Sequence, residues 1–377
     1  MKSTRFVILI ILVLAFIVAS QTIQAGQEAG DPVQRIELLP PGKDNPRNSE
    51  GDFIRLSDGR IMLIYTHFTG GRSDHATAYL AARFSSDGGR NWTDEDVKVV
   101  SNHADMNIMS VSLLRLRDGR IALFYLVKNS LHDCRPVMRT SSDEGETWSE
   151  PAGIIPDQDV GYYVMNNDRV VQLESGRLVA PVARHHGPSW EKWTAYGRVS
   201  CYLSDDAGRS WRRSKTVLTG EKEEGTRVML QEPGVVELDD GRLMMFCRTN
   251  AGRQYVSYSE DSGETWSAVR ASDIVSPRSP ASVERIPSTG DLLMVWNNHE
   301  SVPASLKGRR TPLSVAISRD EGKSWEKAKT LYDDPEGWYC YTAIHFADER
   351  VLLAHCAGHE HLAQTNITSF PVTWLYR

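Results

Sequence analysis

Six times along the chain, a polar turn gives way to an apolar strand. The clear copies read SDGRIMLIY from Ser57, RDGRIALFY from Arg117, ESGRLVAPV from Glu174 and DDGRLMMFC from Asp239. Two looser copies follow, STGDLLMVW from Ser288 and ADERVLLAH from Ala347. Asp-Gly between apolar runs signals a hairpin, because glycine takes positive φ without steric cost. A second phrase, Ser-x-Asp-x-Gly-x-x-Trp, follows the first in five of the six units. Its aspartates are Asp87, Asp143, Asp206, Asp261 and Asp320, and its tryptophans are Trp92, Trp148, Trp211, Trp266 and Trp325. A spacing of about 60 residues fits one four-stranded blade per unit. In such a phrase the Ser and Asp side chains should accept backbone N–H bonds within a tight turn, and the Trp should bury its ring beside the sheet. Five equivalent aspartates cannot share one site, so the phrase reads as structural.

The pattern predicts an all-β fold, a six-bladed β-propeller over residues 26–377. The segment Gln34–Leu39 alternates like a strand. It is expected to pair with a C-terminal strand near residues 368–375, closing the ring and removing an open edge. Residues 1–25 read as a secretory signal peptide: Lys2 and Arg5, an uncharged apolar run from Phe6 to Ala19, then small residues at Ser20 and Ala25. A secreted or periplasmic protein is expected, with no membrane span after cleavage. The net charge of −6 argues against a nucleic-acid partner. Cys134, Cys201, Cys247, Cys340 and Cys356 are odd in number and widely spaced, unlike a dense disulfide framework or a zinc ribbon. One disulfide among them stays open.

The innermost strand of each blade should lie just before each Gly-Arg turn and line the central channel. Polar residues gather at the starts of these segments: Glu50, Asn107, Asn166, Asn167, Asp168, Glu232 and Tyr341. A packed strand would be apolar there, so each needs either channel water or a chemical task.

The Ser-x-Asp-x-Gly-x-x-Trp phrase resembles the Asp-box of the sialidase superfamily, and the resemblance covers nearly the whole propeller. It implies a site. Glu232, in QEPGVVELDDGR, is similar to the Glu that pairs with the nucleophile. Tyr341, in YCYTAIHF, matches the tyrosine nucleophile, with Tyr339 as the alternative. Arg248, in MMFCRTN, and Arg310, in RRTPLSVAISRDEGKSW, match members of an arginine clamp for the substrate carboxylate, with Arg309 as the alternative to Arg310. Asp74, in GRSDHATAYLAARF, takes the place of the acid/base. The first clamp arginine departs from the family's Tyr/Phe-Arg-Ile-Pro phrase, which is absent. Aligned without gaps, SEGDFIRLSDG matches QEPGVVELDDG, so that Glu50 falls on Glu232 and Arg47 lies three residues early. Either Arg47 reaches the clamp, or Glu50 occupies its place.

The resemblance implies an exo-α-sialidase-like retaining glycoside hydrolase that releases a terminal acidic sugar, sialic acid by default, from a glycan. Arginine forks bind a carboxylate bidentately. A neutral tyrosine meets that charge without the repulsion a carboxylate nucleophile would suffer. No metal or organic cofactor is required, and a monomer is expected. Two other readings stay open. One is a hydrolase or lyase acting on another acidic sugar, with His185 or His186 at the pocket rim as a base. The other is a carbohydrate-binding propeller without catalysis. Trp190, Trp193 and Trp338 are loop aromatics able to stack on sugar rings. His355, His359 and His361 lack the helix that i,i+4 metal ligation needs.

Overall fold

The computed structural model describes residues 31–377 except Glu223 and Glu360, and Pro32–Arg377 form one compact unit. The expected export signal, residues 1–25, lies outside the described residues. Six antiparallel blades follow in chain order. Blade one runs from the innermost strand outward as Arg47–Arg55, Ile61–Phe68, Ala78–Ser85 and Val97–Val100. Blade four is Leu230–Glu237, Leu243–Thr249, Arg253–Ser259 and Arg270–Val275, and blade five starts at Ser282–Arg285. Blade six begins with Cys340–Ala347, Arg350–Ala357 and Gln364–Pro371. Its outermost strand is Gln34–Leu39 from the other end of the chain, with Gln34 opposite Ser369 and Ile36 opposite Ile367. The closing partner therefore sits slightly earlier than the sequence pattern implies, because Val372–Tyr376 form a 3-10 turn instead of extending the strand. No helix among the described residues is long and apolar enough to cross a membrane.

Why the second strand of each blade has an apolar middle on both faces follows from the packing. Side chains alternate between the two faces of a strand, and here each face is covered by a different neighbouring blade. In blade one, Met62 and Ile64 pack with Ile108, Val111 and Leu113 of blade two. Ile61, Leu63 and Tyr65 point the other way, toward Ala343, Leu352 and Ala354 of blade six. The alternation repeats around the ring: Leu292 and Met294 face blade four, and Leu293 and Val295 face blade six. Six apolar clusters result, one at each interface between neighbours. The cluster joining blade six to blade one makes the arrangement a closed ring.

The recurrent turns act as expected. In the first, Ser85 Oγ accepts the Gly89 N–H at 2.9 Å, and Asp87 Oδ1 accepts N–H bonds from Arg90 and Asn91 at 3.0 and 2.9 Å. The same pattern holds Asp143, Asp206, Asp261 and Asp320. None of the five tryptophans or aspartates lines the cavity at the channel end bordered by Phe53, Arg169 and Glu284. Each turn also presses on the preceding blade. A Cβ on Gly208 would lie 2.3 Å from Met138 Sδ, and the residue's φ of +85° is one that glycine alone tolerates cheaply.

Blade three departs from the sequence reading. Residues 166–173 do not form one inner strand; only Val171–Gln172 pair with Leu178–His186. The preceding segment crosses the channel and bonds to distant blades. Asn167 Nδ2 donates to the carbonyls of Gly51 and Tyr341 at 2.9 and 3.0 Å. Asp168 Oδ2 accepts the Ile344 N–H at 3.0 Å, and Arg169 Nη2 donates to the Ala281 carbonyl at 2.8 Å. Polar side chains at these positions thus satisfy backbone groups of blades one, five and six, which a regular strand would leave unreached.

Gly208→Ala should cost about 2–4 kcal/mol of unfolding free energy, combining left-handed backbone strain with a core collision. Gly241→Ala is its control: φ is +81° there and the space is open, so only the backbone part, about 1–2 kcal/mol, should be lost. Urea unfolding midpoints test the difference. Equal shifts for the two variants would remove the packing contribution.

Candidate active site

The side chains that stand at one mouth of the channel are aimed by a repeated backbone device. The inner strands of blades one, two, four and six each lose register with their neighbours, between Ser49 and Asp52, Met109 and Ser112, Gln231 and Gly234, and Cys340 and Ala343. Inside each irregularity sits one non-glycine residue with positive φ: Glu50 (56°), Ser110 (61°), Glu232 (47°) and Tyr341 (54°). Such a bulge turns a side chain out of the ladder, and a left-handed non-glycine residue costs energy that surrounding structure must offset. Glu50 and Glu232 do occupy equivalent places, as the gap-free alignment implies.

Four of the expected residues form one contact group. Tyr341 Oη donates to Glu232 Oε1 at 3.2 Å, and Arg248 Nη1 donates to the same oxygen at 2.5 Å. The Arg310 guanidinium lies between two rings, 5.1 Å from the Tyr341 centroid and 5.2 Å from that of Trp338. Arg310 Nη1, Arg248 Nε and Glu232 Oε2 are buried and unpartnered. A buried donor or acceptor without a partner is costly, so these atoms form a ready set for a polar ligand. Burial alone would push the Glu232 carboxyl up, but Arg248 and Arg310 outweigh it and hold the group below the usual carboxylate range. Burial, then the Glu232 charge, pushes the Tyr341 hydroxyl well above its ordinary value, which keeps it protonated.

Arg47, Glu50 and Asp74 form a second group. Arg47 is fully buried and its guanidinium lies 4.3 Å from the Phe68 ring centroid. Its Nη2 donates to Glu50 Oε1 at 3.0 Å, its Nη1 to Asp74 Oδ1 at 2.5 Å and to the Arg72 carbonyl at 3.1 Å, and its Nε to Ser49 Oγ at 3.0 Å. Arg47 and Glu50 are thus not alternatives: the bulge brings both to the mouth, as a pair. Ser110 Oγ donates to the other Glu50 oxygen. Burial raises the Glu50 carboxyl against the pull of Arg47. Asp74 is different. Its side chain is 56% exposed, and although lost solvent would raise its carboxyl, Arg47 holds it below the ordinary range.

The alternatives fall outside. Arg309 is half-exposed and pairs with Glu336 at 2.9 Å. Tyr339 stacks on Tyr332 at 4.8 Å. His185, expected on the rim, is buried with Nδ1 against the Thr194 carbonyl at 2.8 Å. His355 meets Thr368 Oγ1, His359 meets Asp334, and His361 stacks on Trp338. Among the described residues, no group of three or more His, Cys, Asp or Glu is arranged to hold a metal ion. The five cysteines are free, with Cys340 and Cys356 directly opposite one another on neighbouring strands.

Two charged residues escaped the sequence reading. Lys128 is buried and donates to the Asp74 carbonyl at 2.6 Å; its only sequence signal is a charge ending an apolar run. Arg169 lies at mid-channel beside Asp52, Asp168 and Glu284. These residues border a cavity of about 600 Å³ at the opposite mouth, lined also by Phe53, Arg285 and His345. Burial, then the Asp168 and Asp52 charges, raises Glu284 well above its ordinary value.

A closed six-bladed propeller with a tyrosine–carboxylate pair between arginines at one mouth defines the class. Residues 81–353 match the BNR repeat-like domain, and the chain belongs to that family. It is 26% identical over 323 residues to a sialidase of Micromonospora viridifaciens, an alignment spanning 76% of this chain and 46% of that protein. A sialidase of Bacteroides fragilis is 24% identical over 231 residues, 59% of this chain and 39% of the relative. The chain thus spans less than half the length of these curated relatives. Among solved structures, Trypanosoma rangeli sialidase superposes with a TM-score of 0.70 at 14% identity, over 90% of this chain and 59% of that one.

Glu284→Gln should stabilise the protein at neutral pH. The folded carboxyl titrates above its unfolded value, so its neutral form favours folding in acid. That contribution is lost as pH rises from the unfolded pKa, about 4.3, through the folded one. Thermal midpoints of the parent should therefore fall relative to the variant as pH rises above about 4.3. Parallel curves from acid to neutral pH would overturn the assignment.

Proposed function

We propose that the protein is an exported, sialidase-like glycoside hydrolase that releases a terminal acidic sugar, sialic acid by default, from a glycan. The observation that carries this reading is the 3.2 Å contact between Tyr341 and Glu232, flanked by Arg248 and Arg310 with unpartnered donors. Arg248 and Arg310 would bind the sugar carboxylate by charge-assisted bonds. Tyr341 attacks the anomeric carbon as its proton passes to Glu232, which its arginines keep ionised and ready to accept. Tyrosine nucleophiles are the known sialidase departure from paired-carboxylate glycosidases.

Asp74 is the acid/base of this scheme. While it rests on Arg47 it stays ionised, the wrong form for protonating a leaving oxygen. A substrate carboxylate reaching Arg47 would weaken that bond and let Asp74 rise toward its acid form. Export is supported by the charged, apolar and small-residue order of the N-terminal segment.

One observation favours a second substrate. Glu50 pairs with Arg47, which removes part of the positive charge a three-arginine clamp would offer. An acidic sugar other than sialic acid, needing only Arg248 and Arg310, fits this arrangement. A panel of acidic glycans with mass analysis of the products separates the readings: water is added by hydrolysis, an unsaturated sugar marks elimination, and an unchanged panel marks a binding protein. On the substrate that turns over, Tyr341→Phe should lower kcat by about 10³-fold or more with the fold intact. Activity retained in that variant would exclude Tyr341 as nucleophile.

A further inference from the structure

The loop of residues 187–197 carries Trp193, 43% exposed and one of few large apolar side chains so open among the described residues. It is nevertheless held in place. Its ring lies flat on His185, with centroids 5.2 Å apart and planes 17° from parallel, and meets Tyr162 edge-on at 6.4 Å. His185 beneath it is 1% exposed. The loop is tied down by Gln231 Nε2, which donates to the Ala195 carbonyl at 3.1 Å, and by the Thr194 N–H, which donates to the His185 carbonyl at 2.9 Å.

The contacts of Trp193 locate it in the mouth. On one side, His185 is close enough to Glu232 and Arg248 to feel both charges, and Gln231 precedes Glu232 in the chain. On the other, the Tyr162 ring has Lys128 Nζ 5.6 Å from its centroid, and Lys128 donates to the Asp74 carbonyl. Trp193, on blade three, is therefore linked to Glu232 through His185 and to Asp74 through Tyr162 and Lys128. Arg310 and Tyr341 belong to blades five and six. One indole face is covered by imidazole and Tyr162 meets the ring edge-on, while 43% of the residue stays open to solvent.

We infer that the open surface of Trp193 is a stacking platform for a neutral hexopyranose, the sugar on the leaving-group side of the scissile bond. The inference rests on the proposed function. If Arg248 and Arg310 hold the acidic sugar and Asp74 protonates the leaving oxygen, the leaving sugar must lie along the Asp74 wall, and Trp193 is the exposed aromatic there. A pyranose presents an apolar C–H face whose partial positive charge suits the electron-rich face of an indole. A ring already clamped flat loses little rotamer freedom when the sugar arrives.

Equilibrium binding to the full chain tests this, with Tyr341→Phe as the background so that no probe is turned over. The probes are N-acetylneuraminic acid, α2,3-sialyllactose and lactose. Sialyllactose should bind about tenfold more tightly than the free acid, the order expected of one aromatic contact. Adding Trp193→Ala should erase that preference while leaving the free acid's affinity unchanged, and Trp193→Phe should restore most of it. A preference that survives Trp193→Ala, or none in the background protein, overturns the platform while the acidic-sugar reading stands. Binding of lactose alone, abolished by Trp193→Ala, keeps the platform and overturns the sialic acid reading. No binding of any of the three overturns both.

Discussion

No blade of this protein has a face of its own to bury. Each second strand is apolar on both sides, and each side is covered by a different neighbour, so a single blade would expose two apolar surfaces. Only a closed circle covers them all. The Asp-box turns serve that constraint directly. Their glycines lie against the preceding blade, as Gly145 does on Met62 and Gly322 on Met244. Their acidic residues also reach across: Glu144 accepts the Ser57 N–H at 2.7 Å and pairs with Arg115. The turns thus connect blades as well as cap hairpins.

The ring leaves a channel, and a channel through a small domain is full of polar backbone at the ends of inner strands. This protein closes it with blade three, whose Asn167, Asp168 and Arg169 cross to other blades. The crossing separates two mouths of different character. One carries the bulged residues and arginines of the candidate site. The other is the larger cavity, beside carboxyls that burial drives toward their neutral form. The larger volume and the candidate site therefore lie at opposite ends. The end where strained, left-handed side chains gather is the one where unpartnered polar atoms of opposite charge meet.

The ring was legible from sequence because its signals are local. A turn, its glycine and its tryptophan lie within a few residues of one another, and repetition does the rest. Glu232, Tyr341, Arg248 and Arg310 were legible through the resemblance of the segments that hold them. Arg47 and Glu50 were posed as rivals because a regular strand has room for one inward residue at a time. A bulge breaks that rule, and nothing in Ser49-Glu50-Gly51 announces a left-handed glutamate. Lys128 and the blade-three crossing were hidden for a related reason. Their partners lie in other blades, and no spacing along the chain reveals which carbonyl across a channel will accept a hydrogen bond.

The way the circle is fastened bears on when the protein can work. Asn48, beside Arg47, donates its N–H to the Ala363 carbonyl at 2.8 Å and accepts from Thr365 Oγ1 through its own carbonyl at 2.9 Å. Thr365 belongs to the strand that also holds Gln34–Leu39. During synthesis the first strand of the propeller emerges long before this partner. Until the partner arrives, blade six is incomplete and the backbone beside Arg47 lacks these two bonds. A chain lacking its last strand would carry five blades and a sixth without its partner for Gln34–Leu39. Fixing the backbone beside Arg47 and completing the ring are then a single event.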